Sequence, residues 1–384
     1  MAERLPGYRN PNPRYHADFG DVTVAPNGDV LLIVRQCGRW AYEATFRFER
    51  PLTFFEAKAE MLVLRSSDLG ESFSTETTLF SGLAYDPMIC CLADGRLMAG
   101  MVVGQAGPGR GRAEMEGVLH RHLPQLDTVI TLQGMAVWVS EDDGHTWSEP
   151  SETVSLPGWE NAYNLRKVFG LCDGTLIMPV TIGYPWRSRY VGLIRSWDGG
   201  STWADPSYVA EDPAGRAHYA AGVGYWEPAM AATPEGDMIC VCVLDDQGSA
   251  PRPAVDSSPG APVFEPEDAL PRLYHTRSVD SGFTWSEPQD SGLRGDFPSM
   301  IALPDGRLLL TLTQRGATGS ALVAHVSEDG GNTWSSDIAL LRSDDELLYY
   351  PNSVVLQDGC LLTAFMFGGP DQVRSVDLVR WRLG

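Results

Sequence analysis

Apolar residues do not recur at helical spacing anywhere in this chain. They come in short runs, paired across a turn. "VAPNGDVLLIV", "CLADGRLMAGM", "GLCDGTLIMPV", "ATPEGDMICVC", "ALPDGRLLLTL" and "VLQDGCLLTAF" each join two apolar runs through an Asn/Asp/Glu-Gly turn, with the glycine at 28, 95, 174, 236, 306 and 359. Such a dipeptide between apolar runs is the strongest short-range hairpin signal. A third run follows in "AEMLVLRSSD", "MAVWVSEDD", "YVGLIRSWD", "LYHTRSVD" and "ALVAHVSED". Short strands such as "ETTLF" and "DIALL" come after the turn that closes it.

That closing turn repeats as Ser-x-Asp-x-Gly-x-Ser/Thr-aromatic. It reads "SSDLGESF" (66–73), "SEDDGHTW" (140–147), "SWDGGSTW" (196–203), "SVDSGFTW" (278–285) and "SEDGGNTW" (327–334), and "SVDLVRW" (375–381) is taken as a worn sixth copy. Asp and Ser side chains bond backbone groups two residues on, and Gly supplies the positive φ of a tight turn. The terminal aromatic is large enough to pin the turn against its neighbour. Self-similarity at this period is the signature of a radial array. Six units of four antiparallel strands predict an all-β chain folded as a single six-bladed β-propeller over residues 1–384. The last unit runs out after its third strand, so the segment before Tyr15 is expected to supply the missing outer strand and close the ring.

Charge and composition narrow the function. A formal net charge of −21 over 384 residues repels a phosphate backbone and argues against nucleic acid as a partner. Only Lys58 and Lys167 are lysines among the 29 basic residues. The seven cysteines lie mostly in apolar runs and show no zinc spacing, as expected of small buried side chains in a reducing compartment. No segment approaches the length of a membrane span, and "MAERLPGYRN" carries no apolar signal core. A cytoplasmic protein with no membrane partner and no cofactor is expected. Nothing in the chain sets an oligomeric state.

Six hairpin units with five Asp-box turns resemble the sialidase superfamily, and the resemblance covers essentially the whole chain. Asp boxes are a structural signature of that propeller rather than a catalytic one. They share one rim with the hairpin turns, which leaves the opposite rim for a site. The resemblance implies a glutamate nine residues before the fourth hairpin glycine, and Glu227 of "YWEPAMAATPEG" stands there. It implies a nucleophilic tyrosine at the same offset in the sixth unit, where Tyr350 of "YYPNSVVLQDG" precedes Gly359. A tyrosinate avoids driving a carboxylate toward a substrate that already bears one, and a neighbouring glutamate acts as its general base. Asp18, Asp21 and Asp86 are the general-acid candidates.

The same resemblance implies three arginines around an acidic sugar's carboxylate, a bidentate grip. The first position is Asp18 here, and the second falls at Val243, followed by two acids. Arg315 of "TLTQRG" fits the third, while Arg35 and Arg166 are candidates for relocated members. His16, Tyr85, Tyr225 and Trp226 complete the expected substrate contacts. Loops on the site face add Trp159, Tyr163, Tyr184, Trp186, Arg187, Arg189, His218 and Tyr219, and an insertion carries His120, Arg121 and His122. Two histidines at i, i+2 without a third ligand imply no metal site. The expectation is an exo-acting glycoside hydrolase of sialidase type acting on a carbohydrate with a terminal, acidic sugar. A propeller lyase cleaving uronate-containing glycans and a non-catalytic glycan-binding propeller remain open alternatives.

Overall fold

A computed structural model describes residues 2–38, 59–108, 120–123, 128–151, 162–163, 167–183, 189–210, 224–245, 270–316, 319–368 and 373–384. The described residues form six antiparallel sheets. The first blade runs β2 (Tyr15–Val24), β3 (Val30–Gly38), β4 (Ala59–Ser66) and β5 (Ser74–Gly82) from inside to outside. The fourth holds β15 (Gly224–Ala232), β16 (Met238–Asp245), β17 (Arg272–Ser278) and β18 (Gln289–Arg294). The fifth holds β19 (Asp296–Ala302), β20 (Leu308–Gly316), β21 (Gly319–Ser327) and β22 (Ile338–Ser343). In the sixth, β23 (Leu347–Val355), β24 (Leu361–Gly368) and β25 (Ser375–Trp381) are completed by β1 (Glu3–Tyr8), which pairs with β25. The N-terminal segment therefore closes the ring, as the short sixth unit required. Asp377 fastens this closure by accepting from Arg4 Nε at 2.8 Å and Arg9 Nη2 at 2.9 Å.

Two blades depart from four plain strands. In the second, β6 (Ala84–Cys91), β7 (Leu97–Pro108) and β9 (Thr128–Ser140) are joined by β8 (His120–Leu123), which comes from the insertion and pairs with the far end of β9. In the third, the innermost strand is split into β10 (Ala162–Tyr163) and β11 (Phe169–Gly170), both pairing with β12 (Leu176–Gly183). Strands β13 (Arg189–Ser196) and β14 (Ala204–Ala210) complete it. Apolar runs buried on both faces of each sheet fill the wedges between blades. Leu32 and Val34 of the first blade, for example, pack in one cluster with Leu362 and Ala364 of the sixth.

One expectation fails. The worn sixth Asp box is not a turn, because residues 375–381 run straight through as β25. The segment lacks the positive-φ glycine that stands at the fifth position of every true box, and the strand continues to receive β1. In the five true boxes the serine hydroxyl accepts from the glycine N–H, at 2.7 to 2.9 Å. The aspartate takes the hydroxyl and backbone N–H four residues on, as Asp329 does from Thr333. These hydroxyl bonds hold the carboxyls of Asp68, Asp142, Asp280 and Asp329 at about 2.

Three boxes are also riveted to the preceding blade. Arg65, Arg195 and Arg277 each stand just before the box serine of their own blade. Each donates to a carbonyl in the next box: Arg65 to Asp143 at 2.9 Å, Arg195 to Ser281 at 3.1 Å, and Arg277 to Gly330. All three acceptors occupy the fourth position of the octapeptide.

Candidate active site at the bulged rim

On the opposite rim every blade begins with its innermost strand, and in five blades that strand is broken by a bulge. Register shifts fall at Asp18/Asp21, Tyr85/Met88, Trp226/Ala229, Asp296/Ser299 and Tyr349/Asn352. At each bulge a non-glycine residue takes a left-handed backbone: Phe19 (φ 52°), Asp86 (49°), Glu227 (54°), Phe297 (53°) and Tyr350 (52°). A side chain in this conformation costs about 1–2 kcal/mol, so five at equivalent places mark an imposed geometry. All five lie nine residues before their hairpin glycine. Position 165 of the third blade, at the same offset, lies outside the described residues. Bulges re-aim side chains at the ends of strands.

The ring is thus two phenylalanines, two acids and a tyrosine. Tyr350 lies between the aromatics of its two neighbouring blades, with centroid distances of 5.0 Å to Phe19 and 4.2 Å to Phe297. Glu227 is buried, and its backbone N–H donates to Thr181 Oγ1 of the third blade at 3.3 Å. It heads the fourth blade, two blades from that of Tyr350. Asp86 is also buried, at the head of the second blade.

Just before the bulge, the first and fifth blades carry the same device. Asp18 meets Arg35 Nη1 at 3.3 Å, and Asp296 meets Arg315 Nη2 at 2.6 Å. Arg35 is fully buried and also donates from Nε to Ala84 O at 2.9 Å, so it braces the first blade against the second. Arg315 is partly open, its side chain 19% exposed, and lies 5.3 Å from the Phe297 ring centroid. His16 is buried and accepts from the Arg374 N–H at Nδ1, which puts the proton of a neutral ring on Nε2.

Beyond the bulge of the first blade, an ion pair ties the third blade to the first. Lys167, from the third blade, meets Asp21 at 3.3 Å and donates to Val22 O at 2.7 Å, both in the first blade. Asp21 also accepts from the backbone N–H groups of Val22 and Ile89. Its two oxygens are therefore committed to holding blades together, which sets it apart from Asp18 and Asp86 among the acid candidates.

The structure places the remaining expected contacts unevenly. Tyr85 packs in a core cluster with Met88 and Met178, and Tyr225 in another with Met230, edge-on to Tyr274 at 5.6 Å. Trp226 is partly buried beside the core of the fourth and fifth blades. Arg166, Trp159, Tyr184, Trp186, Arg187, His218 and Tyr219 lie outside the described residues. Sequence reasoning missed Phe19 and Phe297, although the nine-residue offset that found Glu227 and Tyr350 reaches both. It also missed that Asp18 and Asp296 each precede one of these phenylalanines and pair with the arginines expected to grip substrate. Among the described residues no group of three His, Cys, Asp or Glu side chains is arranged to hold a metal.

This fold, six four-stranded blades closed by the N-terminal strand, is the six-bladed propeller of sialidases and of family GH93 arabinofuranosidases. No protein-family model matches the chain. It is 24% identical over 241 residues to a sialidase from Bacteroides fragilis, a match covering 58% of this chain and 37% of that protein. The chain thus spans little more than a third of the curated relative it matches. Over its whole length it superposes on a protein of unknown function from Dyadobacter fermentans, with a TM-score of 0.77, 21% identity and 98% of that chain covered. The GH93 α-L-arabinofuranosidase of Fusarium graminearum, solved with arabinobiose, gives a TM-score of 0.60 at 15% identity, covering 98% of this chain and 97% of that one. A Hadza microbial sialidase gives 0.57 at 17% identity, covering 96% and 66%.

Proposed function

We propose that this chain is an exo-acting glycoside hydrolase that releases a terminal sugar through a tyrosine nucleophile, Tyr350, with Glu227 as its general base. The observation that carries the reading is the bulged ring. Two residue types suited to the chemistry stand at equivalent left-handed positions on the heads of separate blades, on the rim away from the Asp boxes. Similarity to sialidases and to an arabinofuranosidase supports the reaction class.

In the first step the Tyr350 phenolic oxygen attacks the anomeric carbon while its proton passes to Glu227. The glycosidic C–O bond breaks, and the leaving oxygen takes a proton from an acid. With Asp21 committed to holding blades together, Asp86 is the better acid of the remaining two, since it sits on the ring itself, whereas Asp18 is fully buried against Arg35. Water then attacks the glycosyl-tyrosine, giving its proton to the ionised acid, and the phenolate recovers its own from Glu227. Tyrosine nucleophiles are a known departure from the two-carboxylate pattern of glycosidases.

Incubating the protein with activated fluorinated glycosides and digesting it tests the assignment. The expected result is one sugar-mass increment on the peptide containing Tyr350. Turnover of a substrate with Tyr350 unlabelled would reject the nucleophile, and no turnover across neutral and acidic aryl glycosides would reject the hydrolase.

A further inference from the structure

Three consecutive blades meet at Tyr350, and their innermost strands are tied together just past the bulge. Seven residues before the hairpin glycine stand Ser299 in the fifth blade and Asn352 in the sixth. Ser299 Oγ donates to Asn352 Oδ1 at 3.1 Å, and Asn352 Nδ2 donates to Gly20 O of the first blade at 3.1 Å. Ser299 follows Phe297 by two residues, Asn352 follows Tyr350 by two, and Gly20 directly follows Phe19. One amide thus links the chain beside each of the three residues whose rings meet. A carbonyl oxygen can only accept, so Gly20 fixes which end of the amide is the nitrogen. The same offset carries Asp21 and Lys167 in the first and third blades, and these are also joined across blades.

We propose that Asn352 is a positioning residue for the nucleophile, setting the height and tilt of Tyr350 between the fifth and first blades. The inference rests on the reading of Tyr350 as nucleophile and adds the element that aims it. Phe19 and Phe297 are buried, and their rings hold the Tyr350 ring by packing. Apolar packing is non-directional, so by itself it leaves the ring free to slide and tilt. Hydrogen bonds constrain distance and angle together. The two made by Asn352 reach the blades on either side of its own, and so fix the Tyr350 strand against both. The left-handed backbone of Tyr350 lies two residues before this anchor, and such strain persists only where the surroundings over-determine it. Attack on an anomeric carbon needs that precision, since a misplacement of about 1 Å costs about a hundredfold in rate.

Two substitutions in the full chain cut the ties separately. Asn352→Ala removes both, and Ser299→Ala removes one while leaving Asn352 on Gly20. With an aryl glycoside that the parent turns over, N352A is expected to lower kcat about thirtyfold and S299A about fivefold, each with KM within about twofold of the parent. Asp329→Ala, a destabilising change on the Asp-box rim, should keep the parent kcat, which separates aim from stability. A parent-like kcat in folded N352A, or a loss carried by KM alone, overturns the proposal. A second readout needs no turnover. Protein made with meta-fluorotyrosine gives a Tyr350 fluorine NMR signal, assigned by its disappearance in Tyr350→Phe. The signal is expected to shift in S299A, and to shift further or split in N352A. An unmoved signal in both variants overturns the positioning role whether or not any glycoside is hydrolysed. A moved signal in a protein that turns over no glycoside sinks the hydrolase and leaves the tie between Asn352 and Tyr350 standing. Should N352A fail to fold by circular dichroism, S299A decides both readouts.

Discussion

The two rims of this propeller are built from the same six repeats by opposite means. On the Asp-box rim, one octapeptide recurs and does the same thing each time: serine to glycine N–H, aspartate to hydroxyl, aromatic into the wedge. On the other rim, the backbone recurs and the residues do not. The bulge returns in five blades at one offset, yet it presents Phe, Asp, Glu, Phe and Tyr. A turn whose polar groups are satisfied by its own side chains fixes its sequence, since each change leaves a donor or acceptor unmet. A bulge held by the backbone ladder to the second strand leaves its side chain open to selection for chemistry. The repeat that stabilises and the repeat that varies sit at opposite ends of the same strands.

Removing chemistry from the varied rim should have the largest effect and leave stability alone. Tyr350→Phe is expected to lower kcat by about a thousandfold or more, and Glu227→Gln by roughly a hundredfold, with melting temperatures near that of the parent. A large stability loss in either variant would make the bulged rim structural too, and the contrast would fail.

Intermediate effects belong to the rivets. Arg195→Met leaves the Ser281 carbonyl without its charged donor and should destabilise by about 2–3 kcal/mol in urea unfolding, with KM unaffected. A changed KM with stability intact would show the two rims to be coupled.

The smallest effect should come from single boxes. Asp329→Ala is expected to lower the melting temperature by about 2 °C at pH 7. The sign with pH follows from the depressed carboxyls. Asp68, Asp142, Asp280 and Asp329 sit at about 2 when folded, against about 3.9 for a free aspartate. Their stabilisation is complete above about pH 4 and is lost as pH falls toward about 2. Melting curves between pH 5 and pH 2 should therefore converge for the parent and Asp329→Ala. A gap that widens on acidification would mean these carboxyls are not what the boxes contribute.

Legibility followed this division. Five boxes and six hairpin glycines could be read because each uses residue types that local backbone geometry demands. The sixth box was misread because "SVDLVRW" keeps the serine and aspartate but lacks the glycine, and the glycine is what makes the turn. Glu227 and Tyr350 were found by counting back from the hairpin. The aromatic neighbours of Tyr350 went unseen, since a phenylalanine in a strand reads as core. The arginine rivets hid for a different reason: "RSSD", "RSWD" and "RSVD" are visible in the chain, but the carbonyl each arginine reaches belongs to the next blade.

By itself the sequence determined the number of blades, the turns that end them and the rim those turns share, because hairpin and Asp-box signals act within about ten residues. Only the tertiary structure decided that Phe19, Tyr350 and Phe297 meet, that Arg35 and Arg315 turn to aspartates, and that Lys167 reaches past the second blade to Asp21. Those contacts join residues up to 331 positions apart, between Phe19 and Tyr350. Closure of the ring, not any local preference, brings them together.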